Sequence, residues 1–132
     1  MKRLAALVLV LTCVVCLVSC TSDKVDKTTP VFETENITRI TFYTTHSSDG
    51  KGIDVPSEYM AEITTWLGSF TIDEKADKAL APGSNSVSVE IEYADGTVVK
   101  NGLSTTKVDG VNYYMKHDDA PECYLDILEQ AK

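Results

Sequence analysis

"SVSVEIEYADGTVVK", residues 86–100, decides the fold of this chain. Val87, Val89, Ile91 and Tyr93 alternate with Ser86, Ser88, Glu90 and Glu92, the period of two that gives a strand one dry face and one wet face. "ADGT" then turns the chain, and the apolar pattern selects the geometry of that turn. A two-residue turn would set Ile91 opposite Lys100, whereas a three-residue loop with Gly96 in the left-handed region sets Ile91 opposite Val99 and Val87 opposite Leu103. The second register faces apolar on apolar and is the one expected.

The pattern continues on both sides of this hairpin. Downstream, "VDGV" is a second turn, and "VNYYMK" (111–116) puts Val111, Tyr113 and Met115 inward with Asn112, Tyr114 and Lys116 outward. Upstream, "ITRITFYTT" (37–45) sets Ile40 and Phe42 on one face and Arg39, Thr41 and Tyr43 on the other. "HSSDGKG" reads as a loop, with "IDV" returning as a short strand.

Two segments switch to helical period. In "PSEYMAEITTWLGSF" (56–70), Met60, Ile63, Leu67 and Phe70 recur at three and four, flanked by Tyr59 and Trp66. Pro56 suits the first turn, Ser57 the cap and Gly68 the stop, and Trp66 is expected in the core. In "DDAPECYLDILEQAK" (118–132), Asp119 is the expected cap, with Pro121 in the first turn and Glu122 completing an acidic capping box. Cys123, Tyr124, Ile127, Leu128 and Ala131 form its apolar stripe. The expected architecture is α+β: an antiparallel β-meander with an N-terminal strand and two helices packed on one face, forming a single small domain over residues 37–132.

The start of the chain reads differently. Lys2 and Arg3 precede an apolar stretch from Leu4 to Val18, which is shorter than the roughly 20 residues a membrane-spanning helix needs. Ser19 and Cys20 end it, and a polar tract begins at once. This is the layout of a secretory signal peptide. Leu17, Val18, Ser19 and Cys20 resemble the lipobox of bacterial lipoproteins, and the whole layout is similar to small Gram-positive lipoproteins that carry a short α+β domain. The resemblance implies cleavage between Ser19 and Cys20 and a diacylglycerol on the Cys20 thiol, leaving residues 1–19 as the leader. Cys13 and Cys16, preceded by the bulkier Thr12 and Val15, leave with it. It also implies a domain held at the cell membrane on the extracytoplasmic side, since two acyl chains suffice for stable attachment. Residues 20–36, which show no apolar period, are then the lipidated cysteine and a flexible tether.

Charge narrows the partners. The chain carries twelve basic and twenty acidic residues for a net charge of −8, and loss of the leader removes Lys2 and Arg3 but no carboxylate. A chain this acidic lacks the cationic surface that a nucleic-acid backbone requires, so no nucleic-acid partner is expected.

Candidate chemistry is sparse. After lipidation of Cys20, Cys123 is the single remaining thiol, so no intramolecular disulfide is available. His117 six residues before it suggests a nucleophile pair, but Cys123 sits on the apolar stripe, where thiols are inert. "HDDAPEC" offers His117, Asp118, Asp119, Glu122 and Cys123 as metal ligands on paper. It lacks the spacing of a zinc or calcium site, and His46 with Asp49 is at most half a site. No GxSxG, P-loop or GxGxxG is present, and neither a metal nor a cofactor is expected. Tyr43 and Tyr114, expected on the sheet face opposite the helices, are the candidate binding residues. The reading favoured by the sequence is a non-enzymatic, membrane-anchored module for an envelope protein or a small ligand. Its rival is an envelope enzyme or metal-handling protein using His117 and neighbouring carboxylates.

Overall fold

The alternation of residues 86–100 builds the central strand pair. The computed structural model describes residues 25–45, 50–76 and 87–130. Strands β1 (Ile37–Thr44), β2 (Ile53–Asp54), β4 (Val87–Tyr93) and β5 (Val98–Gly102) form an antiparallel sheet in the order β2-β1-β4-β5. Strands β3 (Thr71–Lys75), β6 (Thr105–Val108) and β7 (Val111–Lys116) form a second, in the order β3-β7-β6. Helix α1 (Met60–Leu67) follows a single 3₁₀ turn at Ser57–Tyr59, and α2 (Glu122–Glu129) comes last. The class is α+β. Among the described residues no helix is long and apolar enough to cross a membrane.

The hairpin adopts the register that faces apolar on apolar. Ile91 pairs with Val99, and the Leu103 amide donates to the Val87 carbonyl at 3.3 Å. The loop is Ala94-Asp95-Gly96, with Gly96 at φ 87°. Its geometry is a turn closed by Gly96 N–H donating to Tyr93 O at 2.9 Å, with the Tyr93 N–H donating to the Thr97 carbonyl at 2.9 Å. The second hairpin is tighter. Asp109 and Gly110 both have positive φ, 50° and 81°, as a two-residue loop matched to strand twist requires. In β7 the alternation runs as the sequence indicates, with Val111, Tyr113 and Met115 half-buried and their neighbours exposed.

The expected single meander is divided. Leu103 and Ser104 bend the chain between β5 and β6, so these successive strands are not hydrogen-bonded neighbours and belong to different sheets. Strand β3, which has Ile72 as its one buried side chain, carries no alternation that a sequence reading can detect, yet it pairs with β7.

Both helices send their apolar side chains into the core of the four-stranded sheet. Ile40, Phe42, Val89 and Ile91 from the sheet meet Ile63, Trp66 and Leu67 from α1 and Cys123 and Ile127 from α2. Burial of such aliphatic and aromatic side chains contributes about 1.5 to 3 kcal/mol each relative to exposure. The helix ends depart from their expected caps. Ser57 lies inside the 3₁₀ turn, and Pro56 precedes it with no side-chain cap. Pro121, not Asp119, stands at the N-cap of α2, again without a side-chain bond, because Pro121 itself is extended and residues 118–120 lie before the helix begins. Glu122 is therefore the first helical residue rather than the third, and the capping box does not form.

The folded part also begins earlier than Ile37. Phe32, expected in the tether, is 3% exposed and meets Phe70 edge-on at 5.3 Å between ring centroids. The Val31 amide donates to the Phe70 carbonyl at 2.7 Å. Gly68 contributes to this docking. It ends α1 in right-handed conformation, φ −66°, so its lack of a side chain matters for space: a Cβ there would lie 3.3 Å from Thr34 Cγ2.

Candidate functional site

The docked segment and the first hairpin enclose a cleft of about 640 Å³. One wall is residues 31–36 and the other is the hairpin from Tyr93 to Val99. One bond ties the first wall to the domain and two fix the walls against each other. Val31 is held by Phe70 as above, the Ala94 amide donates to the Asn36 carbonyl at 2.8 Å, and the Tyr93 hydroxyl donates to the Glu33 carbonyl at 2.9 Å. Asn36 takes φ 59° to make this corner, a conformation that asparagine tolerates better than most residues.

The cleft lining has an apolar part and an acidic part. Val31, Phe32, Tyr93 and Val99 supply the first, while Glu33, Glu35 and Asp95 supply the second. Burial, and then the charge of Glu33, push the Tyr93 phenol above its ordinary value, so it stays a neutral donor. Asp95 is held below the usual carboxylate range by the Thr97 amide, which donates to its Oδ1 at 2.8 Å, and by the Thr97 hydroxyl. Such a cleft can receive a ligand that is cationic at its ends and aliphatic along its length. The sequence does carry one signal of it: Val31 and Phe32 are adjacent apolar residues in a tract that is otherwise almost wholly polar.

The residues singled out by sequence lie elsewhere. Tyr43 is in β1 and Tyr114 in β7, hence in different sheets, so the single sheet face expected to carry both does not form. Tyr43 is not a free aromatic. Lys100 Nζ lies 3.9 Å from its ring centroid, its hydroxyl reaches Glu90 Oε1 at 3.4 Å, and Gly52 lies so close that a Cβ there would come within 2.8 Å of its ring. Tyr114 is 36% exposed. Beside Tyr43, Arg39 forks onto Asp54 at 3.0 and 2.8 Å, and Thr41 adds a bond at 2.8 Å. The Arg39 guanidinium, followed by Thr41, holds the Asp54 carboxyl below its ordinary range.

His117 joins an aromatic cluster. Its ring stacks on Phe70 at 4.4 Å and meets Trp66 edge-on at 5.6 Å. Its Nδ1 lies 2.6 Å from the Asp118 carbonyl oxygen, which can only accept, so Nδ1 carries the proton. The same oxygen accepts the Trp66 indole N–H at 3.1 Å, and the Asp118 amide donates to Ser69 Oγ at 3.1 Å. His117 and Asp118 thereby tie the end of β7 to the end of α1.

Cys123 is buried under α2. Burial, and then a hydrogen bond with Glu62, push its thiol above the ordinary value. Among the described residues no three His, Cys, Asp or Glu side chains gather closely enough to hold a metal ion. Ser19, Cys20, His46 and Asp49 lie outside the described residues. No family model matches the chain, nor does any curated protein or solved structure.

Proposed function

We propose that this protein is a lipid-anchored, non-enzymatic binding module of the bacterial cell envelope, and that the cleft between residues 31–36 and the β4–β5 hairpin is its binding site. The anchor rests on the lipobox resemblance at Leu17 to Cys20. The observation that carries the binding reading is the cleft itself: about 640 Å³, lined by apolar and acidic side chains, with walls joined by hydrogen bonds. Preformed concave sites with few polar groups are where ligands are held. The position of the cleft agrees with a tethered presentation, because the wall made by residues 31–36 continues directly into the segment that leads back to Cys20.

Two experiments test the two halves. Cys20→Ala is expected to abolish acyl labelling and to move the chain out of the membrane fraction, and undiminished labelling would refute the anchor. A photoreactive residue in place of Val99, in the membrane-held protein, is expected to give a defined adduct. The rival reading draws on His117, whose ring is engaged by Phe70 and Trp66 and whose Nδ1 is engaged by Asp118.

A further inference from the structure

Among the described residues, the wall of the cleft formed by β5 is also a free strand edge. Tyr93 and Thr97 are a hydrogen-bonded pair, and so are Val87 and Leu103, while the register between them runs unbroken from Glu92↔Val98 to Ser88↔Gly102. Alternation in an antiparallel pair therefore turns the backbone groups of Thr97, Val99 and Asn101 toward β4, and those of Val98, Lys100 and Gly102 away from it. Strand β5 ends the order of its sheet, and among the described residues no strand takes up that outward row. Val98 and Val99 are 54% and 41% exposed. An edge with unpaired backbone groups and bare valines on both faces is a template for another strand.

Charge differs between the two sides of this edge. Val99 projects on the side of the cleft, where Glu33, Glu35 and Asp95 stand. Lys100 projects on the other side, and because its ammonium lies over the Tyr43 ring it does not reach out to guard the edge. A strand laid along β5 points successive side chains to opposite sides. Basic side chains on the cleft side would run their stems along Val99 and Val31 and set their heads against the carboxylates. On the opposite side Lys100 stands across from Glu90 and balances its charge, so that face is mixed where the cleft side is uniformly acidic, and Val98 offers apolar contact.

We propose that β5 captures, by strand addition, an extended segment of a partner protein in which Lys or Arg alternates with aliphatic residues. This rests on the reading of the cleft as the binding site and names the class of ligand that it takes. The backbone row supplies affinity, and the acidic cleft supplies the choice of sequence and register.

The test uses the processed full-length chain in detergent micelles and a fluorescent peptide of alternating Lys and Val. Anisotropy is expected to show saturable binding, none for the alternating Glu and Val peptide, and about a tenfold loss when Glu33→Gln and Glu35→Gln are combined, the worth of one charge-assisted bond. The same peptide N-methylated at alternate amides keeps its charge but cannot pair with the edge, and it is expected not to bind. Equal binding of the methylated peptide would overturn strand addition. Sedimentation showing a dimer that the peptide dissociates would overturn it too, assigning the edge to a second copy of the chain. Failure of every Lys and Val peptide, with an adduct still formed at position 99, would overturn the ligand class and leave the cleft reading standing. Failure of both would remove both.

Discussion

Phe32 and Phe70 meet edge-on at 5.3 Å, and the Val31 amide beside them donates to the Phe70 carbonyl at 2.7 Å. These two contacts make residues 31–36 part of the domain and thereby create the cleft. Phe32→Ala is expected to lower stability to urea by about 3 to 5 kcal/mol, as for a buried aromatic, and to open the cleft wall. A loss under about 0.5 kcal/mol would return the segment to the tether.

The thiol of Cys123 should respond to pH in a set direction. Its folded value is raised by burial and by Glu62, so the folded state favours the protonated form. That contribution to stability is full below the ordinary thiol value and is lost as pH rises toward the raised one. Maleimide labelling is expected to be slow in the native protein and fast in denaturant, and Cys123→Ala should flatten the fall in stability at alkaline pH. Rapid labelling of the folded chain at neutral pH would contradict the placement.

Trp66 links α1 to the end of β7 through the Asp118 carbonyl. Trp66→Phe removes that bond and part of a buried ring, and should cost about 1 to 3 kcal/mol in denaturant unfolding. Asp119→Ala, by contrast, should change stability by no more than about 0.5 kcal/mol, since Asp119 caps nothing. A larger loss would mean that α2 starts two residues earlier.

The Arg39 fork on Asp54 gives an acid-side signature. Asp54 is held below its ordinary range, so its contribution is present above the unfolded carboxylate value and is lost as pH falls through the folded one. Both side chains are more than half exposed, at 57% and 55%, so solvent screening keeps the contribution of the pair small. The melting temperature of wild type should exceed that of Asp54→Asn at neutral pH and converge with it in acid. A constant gap would place the effect in packing rather than in charge.

Much of this fold is legible in the chain because its strands are wet on one side. Val87 to Tyr93 and Val111 to Met115 announce their faces by alternation, and the demand that Ile91 meet Val99 sets a hairpin register. The segments that failed to announce themselves lack such a period. Thr71–Lys75 becomes a strand through pairing with β7, and the rest of the domain buries Phe32 and half-buries Val31. The bend at Leu103 and Ser104, which divides the sheets and separates Tyr43 from Tyr114, has no glycine–proline signal beyond Gly102. The cleft was hidden for the same reason: its walls come from residues far apart in sequence, brought together by backbone bonds.

Photocrosslinking in the native envelope, with the reactive residue replacing Val99 in one protein and Leu125 in another, tests the cleft most directly. Leu125 lies on α2, does not line the cleft, and is 63% exposed. A discrete adduct is expected from position 99, absent from position 125 and diminished when Glu33→Gln and Glu35→Gln are introduced together. Adducts of equal yield from both positions, or none from position 99 in a properly anchored protein, would contradict the cleft as the binding site.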